Sequence, residues 1–474
     1  MSSALAPLLQ LQRFYVPALV IFAGWAVWRT VFRKDVAVGL ALYIGLVIVV
    51  DSFFNTGIYL PGLATGSVRY SEVCAAVLLF NRPSAPANPG ALSRRVRLLL
   101  IVYFGLMAVS ALRANSMAAG AFEFRGVIIP QITAWLVACR GLGATAQFRR
   151  FILCLMALVL IISLFVLFDV LFDRWLLISD QLFKPEYGVN RQHGRFGGFF
   201  FNPNYMGAFA VLVFPLAFVF ALNERQWFWP RLLAWMTPLA LVFCLVETQS
   251  RAPLISFAIE LALLTVGPCG GLSKKRRLLM LGVLALVLVV LMPGFFEHAI
   301  VRFNELNQET EGEGRTRHTI WEWTERLIAA NPILGIGFGE QQFVSMMDSI
   351  GYRDVFGQTS LDNPHNSYLQ IAVYAGIPAL IVFILANGLV LARAVRVSVS
   401  RTVDSNGSVI FGLTVGIAGF LASIYPDMHL FTRSVAPVYW VFFGLLYSSL
   451  VVVRGPADAA NRAGDAPIVP PPGG

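Results

Sequence analysis

The chain has 474 residues, of which 57% are hydrophobic and only 13% are charged, and its mean hydropathy is +0.70. Soluble domains average about 45–50% apolar and about 25% charged residues, so this composition excludes a soluble globular protein. The net charge of +10 does not indicate a nucleic-acid partner, because the basic residues are distributed by membrane topology, as shown below.

Long uncharged runs such as "LLMLGVLALVLVVLMPGFF" are typical of membrane-spanning helices. They predict an all-α, polytopic integral membrane protein with about 12–13 transmembrane helices. The first apolar run has no cleavage site for a signal peptide, and we interpret it as a retained span. The predicted spans are 14–28, 36–54, 67–80, 97–112, 118–138, 149–172, 204–222, 231–248, 252–267, 278–293, 366–391, 408–425 and 435–453.

Clusters of Lys and Arg fall in alternate connections, which the positive-inside rule assigns to the cytoplasm. These connections contain more than half of the 36 basic residues, in segments such as "RTVFRK", "GGLSKKRR" and "ARAVRVSVSRT". Two long segments, Asp173–Asn202 and Gly294–Asn363, then lie on the outer face. Thirteen spans would place the N-terminus outside, whereas twelve would place both ends inside.

The longer outer segment contains "RHTIWEWTERLIAA", in which Ile320, Trp323, Leu327 and Ile328 recur at helical spacing. This pattern predicts an amphipathic helix ended by Pro332, with its apolar face on the membrane surface or on the bundle. The predicted organisation is N-terminal transmembrane helices at 1–172, a central region at 173–391 that includes the outer loop 294–363, C-terminal transmembrane helices at 392–454 and a disordered tail at 455–474.

His365 stands where a polar stretch, "SLDNPHN", changes to an apolar helical pattern. Asn363 suits an N-cap and Pro364 the first turn, so we expect His365 at the second helical position. The positive end of the helix dipole favours a nearby anion there and disfavours an imidazolium. The ring is therefore a candidate base, and the alternative is a structural histidine at a helix start.

A related start occurs in "RQHGRFGGFFFNPN", where Asn202 is a candidate N-cap and Pro203 the first helical residue. The preceding stretch carries Arg191, His193 and Arg195 among three glycines. Glycines let a backbone approach a ligand closely, so the segment is a candidate phosphate cradle, although its spacing matches neither a Walker loop nor a dinucleotide fingerprint.

Further arginines lie near the outer ends of predicted spans or in the outer loop, where ionisable groups are paired or functional. They are Arg251 in "ETQSRAPLIS", Arg315 and Arg317 in "EGEGRTRH", and Arg125 in "AFEFRG". The structural alternatives are pairing with Glu247 for Arg251, pairing with Glu123 for Arg125, and solvated surface charge for the other two.

These arginines and the histidine map to one face, and guanidinium groups favour phosphate. The five cysteines are widely spaced and predict neither a disulfide framework nor a metal site. No cluster of carboxylates or Cys/His has metal-ligand spacing. We therefore expect a metal-free reaction on a phosphate-bearing lipid.

Four stretches of the sequence resemble the O-antigen ligase and polymerase superfamily of bacterial envelope enzymes. They are "RFGGFFFNPNYMGAF", "TQSRAPL", "GRTRHTIWEWTERLIAANPILGIGFGEQQF" and "DNPHNSYLQIAVYAGIPAL". They run from about Arg195 to Leu380, in the family's order, and the N-terminal third shows no comparable motif beyond its spans.

The resemblance implies a GT-C-like glycosyltransferase in the bacterial inner membrane, with its active site facing the periplasm. It would transfer a glycan from undecaprenyl diphosphate to an acceptor hydroxyl, without nucleotide sugar, metal or other cofactor. By motif, Arg195 and Arg251 would bind the donor diphosphate, Arg315 would assist, and His365 would be the general base. Asn202, Asn204, Asn363 and Asn366 would support them.

Three acceptors fit this resemblance: lipid A–core for a ligase, a second lipid-linked glycan for a polymerase, and a protein side chain for a protein glycosyltransferase. The donor residues do not separate them, and we favour the ligase slightly over the polymerase. The rival from another class is a transporter or lipid flippase, which predicts inverted repeats and discontinuous helices. Membrane lipids are expected partners, and nucleic acids are not.

Overall fold

A computed structural model describes most of the chain. The described residues are 24–31, 33–53, 58–59, 67–80, 91–139, 145–172, 194–200, 202–224, 228–267, 313–352, 363–400 and 405–452, with the single positions 275, 278 and 282. The predicted span 278–293, most of the predicted span 14–28 and the predicted disordered tail lie outside the described residues.

The described chain is almost entirely helical. Its helices are α1 Val36–Gly45, α2 Tyr70–Phe80, α3 Ala91–Leu112, α4 Met117–Cys139, α5 Thr145–Phe172, α6 Pro203–Asn223, α7 Phe228–Glu247, α8 Arg251–Val266, α9 Glu313–Ala330, α10 Glu340–Ser349, α11 Ser367–Ala375, α12 Ile377–Ser400, α13 Ser405–Ser423 and α14 Ala436–Val452. A π-helical segment, Leu46–Phe53, continues α1, and 3-10 turns occupy Gly198–Phe200 and His429–Phe431. Two short strands, β1 Ile58–Tyr59 and β2 Ser67–Val68, pair antiparallel with Ile58 opposite Val68.

Within the described residues, 6 helices are long and apolar enough to cross a membrane, namely α3, α4, α5, α6, α7 and α12. Shorter apolar helices are α1 with its π-helical continuation, α2, α13 and α14. The predicted fold class, a helical polytopic membrane protein, is confirmed. The total number of spans stays a prediction, because some of the apolar runs lie outside the described residues.

Helix α6 lies at the centre of the bundle and packs against α7, α8 and α13. Almost every residue of α6 from Met206 onward is buried. Helix α13 approaches it closely at Gly416, where a Cβ atom would overlap the carbonyl oxygen of Leu212. Small residues at helix contacts let backbones come together in membranes. This packing fixes the N-terminal end of α6, which carries the polar site described below.

The predicted continuous span at 366–391 is wrong. The helix breaks at Gly376, which has φ 88°, and the chain restarts as α12 at Ile377. The segment after α9 fills the break, since the Ile377 N–H donates to Pro332 O at 2.8 Å. The membrane-crossing helix is therefore α12, and the nine residues of α11 form a separate helix before it.

The break at Gly376 generates a test. The change Gly376→Ala would force a left-handed backbone on alanine and make its Cβ overlap the Ile333 carbonyl oxygen. We expect a loss of about 1–3 kcal/mol of stability or more, measured as a lower thermal unfolding midpoint in detergent. The control is Gly388→Ala in α12, where a Cβ meets nothing within 4 Å. It should be neutral or stabilise by up to about 1 kcal/mol. Equal midpoints for the two variants would contradict the described break.

Candidate functional site

Two helix starts lie side by side at one end of the bundle. Asn202 is the N-cap of α6, with Pro203 as the first helical residue, as predicted. Its Oδ1 accepts the Asn204 N–H at 2.9 Å. Ser250 precedes α8, but its hydroxyl lies 2.8 Å from Asn204 Oδ1 and, among the described residues, does not cap its own helix. Asn204 therefore joins the starts of α6 and α8.

Arg195 is oriented by both helix starts. Its Nη2 donates to Asn204 Oδ1 at 2.8 Å, and its Nε donates to Thr248 O at 3.2 Å. Its loop is attached to the α7–α8 turn, because the Phe196 N–H donates to Glu247 O at 3.0 Å. The half-buried guanidinium is thus fixed in direction before any ligand binds. The neighbouring Arg191 and His193 lie outside the described residues.

The central acidic group of the site is Asp427, which sequence analysis missed. It lies in the connection between α13 and α14, and it is buried. Its Oδ2 accepts the Asn204 Nδ2 at 2.8 Å, and its Oδ1 accepts the Met428 N–H at 2.8 Å. The Asn204 amide therefore uses its oxygen for Arg195 and its nitrogen for Asp427, which assigns its orientation.

The charges around Asp427 keep it ionised. Burial alone would raise the pKa of this carboxyl, but the charges of His429 and Arg317 hold that pKa below its usual range. The Met428 N–H and His365 act in the same direction. Burial lowers the pKa of His429, against the opposing effect of Asp427. We therefore assign an ionised Asp427 near pH 7, with 3.9 Å between His429 Nε2 and Asp427 Oδ2.

The predicted position of His365 in the second helical place is wrong. Helix α11 begins at Ser367, and Asn366 is its N-cap, accepting the N–H groups of Tyr368 and Leu369 at 3.0 and 3.1 Å. Asn363 instead accepts the His365 N–H at 2.8 Å within a turn. His365 has φ 47°, a left-handed conformation uncommon outside glycine.

The His365 turn is connected to Asp427 and to the amphipathic helix α9. Ser367 Oγ donates to the backbone oxygen of Asp427 at 2.9 Å, and the Ser367 N–H donates to the same oxygen at 3.1 Å. From the other side, Trp321 Nε1 donates to Pro364 O at 2.8 Å. The turn is thus fixed by contacts on two sides.

The predicted amphipathic helix is confirmed as α9, which buries Ile320 and Leu327 against the bundle. Arg317 is half-buried and donates to Pro426 O at 3.1 Å. The interpretation of Arg317 as a solvated surface charge is therefore wrong. Arg315 lies in the first turn of α9, but its side chain lies outside the described residues.

The structure brings together most of the predicted site residues. Arg195, Asn202 and Asn204 form one hydrogen-bonded group with Ser250 and Asp427, and Arg251 is the first residue of α8, half-buried beside that group. Asn363, His365 and Asn366 lie in the adjoining turn. Asp427 is the only carboxylate between Ser405 and Val452. Its isolation in an apolar region is the sequence feature that could have indicated it as a site residue. Among the described residues, no group of three or more His, Cys, Asp or Glu side chains could hold a metal ion.

These features define a multi-pass helical membrane protein with an arginine-containing polar site at one end of its bundle. Residues 236–384 match the family model described as O-Antigen ligase. This match supports the O-antigen ligase/polymerase superfamily, a family of glycosyltransferase-like enzymes. The matched region extends from α7 to α12 and includes Arg251 and His365, whereas Arg195 and Asp427 lie outside it. A search of curated proteins gives no match.

The ionised Asp427 generates a pH prediction. Its folded-state pKa is lowered, so its contribution to stability is present above the unfolded value of about 3.9 and is lost as pH falls through the folded value. We expect Asp427→Asn to destabilise the protein by about 2 kcal/mol at pH 7. The difference in unfolding midpoint from the wild type should shrink below about pH 4.

The matched control is Glu322→Gln on α9, because the Glu322 carboxylate is exposed and pairs with His318 on the same helix. Its midpoint should follow that of the wild type from pH 7 downward. A difference between wild type and Asp427→Asn that stayed constant across this pH range would show that Asp427 is not ionised in the folded protein.

Proposed function

We propose that the protein is a membrane glycosyltransferase that transfers a glycan from undecaprenyl diphosphate to an acceptor hydroxyl at the periplasmic face of the inner membrane. The observation that carries the proposal is the Asn204 amide, which holds Arg195 on one side and the buried Asp427 on the other. It places an oriented guanidinium and an ionised carboxylate beside the His365 turn. The O-antigen ligase match supports the class of reaction.

Arg195 and Arg251 are suited to bind the donor diphosphate. Arg195 is directed by hydrogen bonds at two of its nitrogens, to Asn204 and to Thr248. Arg251 occupies the first position of α8, where the positive end of the helix dipole favours an anion. As the bond from the anomeric carbon to the diphosphate oxygen breaks, negative charge develops on that oxygen. Preoriented cationic donors stabilise this charge most when they do not have to reorganise.

His365 is suited to accept the acceptor proton. In the proposed step the acceptor oxygen attacks the anomeric carbon, its proton passes to the neutral imidazole, and the diphosphate leaves with the bonding electron pair. His365 acts electrostatically on Asp427. The ionised Asp427 therefore stabilises the imidazolium that this transfer creates. Asp427 thus stabilises the protonated base and, through its hydrogen bond with Asn204, helps to orient the diphosphate-binding Arg195.

The acceptor of the ligase-type reaction would be lipid A–core, and the alternatives within the superfamily are a second lipid-linked glycan or a protein side chain. All three require the same donor residues. The discontinuity between α11 and α12 does not favour the transporter alternative, because contact with the Pro332 segment accounts for it. The deciding experiment supplies purified protein with a lipid-linked oligosaccharide and each acceptor separately. A lipid A–core conjugate, a lengthening glycan ladder or a modified protein each identifies one reaction.

The proposed roles predict the effects of three substitutions. In a transfer assay with the purified protein, His365→Ala should lower the rate by about 10²–10⁴-fold, because it removes the base. Arg195→Ala and Arg251→Ala should each cost about 10²–10³-fold by removing charge stabilisation of the leaving diphosphate. The control is Arg326→Ala, whose exposed guanidinium stacks on Trp323 nine residues along α9 from Arg317, and it should retain the wild-type rate. Near-wild-type rates for His365→Ala and Arg251→Ala would remove the site assignment.

The pH–rate profile gives an independent check on the base. A protonated imidazole cannot accept a proton, so the wild-type rate should fall on the acidic side of the His365 titration. That limb should be absent from the residual activity of His365→Ala. If the same limb persisted in the variant, another group would be the base.

A further inference from the structure

A second cationic group lies outside the site described above, where the N-terminal helices meet the connection between α13 and α14. Arg69, directly before α2, donates through Nη1 to Gly126 O of α4 at 3.1 Å. A Cβ atom on Gly126 would lie 3.6 Å from Arg69 Nη2 and 3.4 Å from Arg433 Nη2. Both guanidinium groups therefore lie beside the same glycine, which leaves room for them. Arg125, the next residue of α4, pairs with Glu72 at 3.1 Å.

Carboxylates close to this group are already engaged. Glu72 Oε2 accepts both Arg125 Nη2 and the Arg69 N–H, each at 3.1 Å. Glu123, which interacts electrostatically with Arg433, accepts the Glu340 N–H at 2.9 and 3.0 Å.

A third carboxylate, Asp51, lies near Arg69 but accepts the backbone N–H groups of Tyr70 and Ser71 at 3.2 and 3.1 Å. In the part of the chain that the structure describes, Arg433 makes no hydrogen bond or ion pair, and it is exposed.

The charges of the neighbouring arginines act against the charged form of Arg69. Burial lowers the pKa of its guanidinium, and the charges of Arg433 and Arg125 lower it further, against the opposing effect of Glu72 and Asp51. Bringing two guanidinium groups together costs free energy because their charges repel each other. An oxyanion that binds between them offsets this repulsion, since forked N–H donors match phosphate and carboxylate oxygens.

A single short segment connects this group to the candidate site. Asp427 is at one end of the segment and Arg433 at the other, with the 3-10 turn His429–Phe431 between them. At about 3.3–3.6 Å per residue, their Cα atoms are no more than about 21 Å apart. The turn is fixed to α4, because Gln131 Nε2 donates to Leu430 O at 2.8 Å. Both cationic groups therefore belong to the same end of the bundle.

We propose that Arg69, Arg125 and Arg433 bind a phosphate group of the acceptor, and that the acceptor is a phosphate-bearing glycolipid. The inference rests on the proposed transferase function, in which Arg195 and Arg251 hold the donor diphosphate. A second, separate cationic group then serves the second substrate. Lipid A–core and a lipid-linked glycan both carry phosphate, whereas a protein hydroxyl acceptor does not. The geometry thus favours the two lipid acceptors over a protein acceptor.

The test uses the full-length protein in nanodiscs and the variant Arg433→Glu, which disturbs no described hydrogen bond. Donor and acceptor concentrations are varied separately, with lipid A–core and a lipid-linked oligosaccharide as the acceptors. We expect Arg433→Glu to raise the acceptor KM by about tenfold or more, the usual size of a lost charged hydrogen bond. The donor KM and kcat should stay within twofold of the wild type. Arg326→Glu is the control for a charge reversal elsewhere and should change neither KM.

Removing the phosphates from lipid A–core with a phosphatase provides the second arm. For the wild type, the KM of the dephosphorylated acceptor should be raised by the same factor as Arg433→Glu raises the KM of the phosphorylated one. With the dephosphorylated acceptor, Arg433→Glu and the wild type should have the same KM. An unchanged acceptor KM, a raised donor KM, or a wild type indifferent to acceptor phosphate would each overturn the proposal. The proposal would also be overturned if the acceptor KM depended only on the phosphatidylglycerol content of the nanodisc, because the arginines would then bind anionic membrane lipid.

A binding measurement without donor separates this proposal from the proposed function. Wild-type protein should bind phosphorylated lipid A–core at least tenfold more tightly than Arg433→Glu does, whether or not transfer occurs. If neither acceptor gained glycan but this difference remained, the transferase function would fail and the phosphate site would stand. Equal binding by the two proteins would overturn the phosphate site.

Discussion

The contact on which the candidate site depends is the hydrogen bond between the Asn204 amide and the buried carboxylate of Asp427. An ionised carboxylate that is removed from water is costly unless donors and positive charges compensate it. Here they come from four parts of the chain: Asn204 of α6, Arg317 of α9, the Met428 N–H, and the His365 turn before α11. Compensating the buried charge of Asp427 therefore requires these elements to pack together, and the site forms where they do.

The contacts of the segment between α9 and α10 explain how these two helices are fixed relative to the membrane helices. The Phe338 N–H donates to Ser110 O of α3 at 3.1 Å, and the Ile336 N–H donates to Val373 O of α11 at 2.8 Å. The Phe338 ring packs against Phe124 of α4. Helix α9 is therefore attached to both the N-terminal helices and α11. The N-terminal third, which carries no recognisable motif, supplies the surface on which the matched region is positioned.

Two similar sequences illustrate how far local reasoning goes. "FNPN" and "DNPHN" each place Asn before Pro, and each predicts a capped helix start. The prediction is correct for Asn202, where Pro203 begins α6. It is wrong for Asn363, because Asn366 follows three residues later and satisfies two N–H groups at the actual helix start. The choice between two competing caps depends on tertiary contacts, here those of Ser367 with Asp427, and no local pattern contains them.

Hydropathy predicted the helical membrane class because the apolar runs are long, and it predicted α9 because helical spacing is visible in sequence. The site required pairings across long stretches of chain, such as Asn204 with Asp427 and Trp321 with Pro364. Spacing carries no information about these pairings. Local patterns indicated Arg195, Arg251 and His365 as candidates and the resemblance assigned their roles, but neither indicated the carboxylate of Asp427.

The presence of a carboxylate in a site proposed for a diphosphate has a physical rationale. A pocket of arginines alone would also bind the resting diphosphate of the donor tightly, and the part of that binding that is equal in the ground state and the transition state does not speed the chemical step. Asp427 offsets part of that positive charge, so the pocket is less attractive to the resting anion and to the product. During the transfer the proton moves to His365, and the new imidazolium adds positive charge beside Asp427 just as the leaving oxygen becomes negative. The site is then most positive at the moment of bond cleavage, which is when electrostatic stabilisation lowers the barrier.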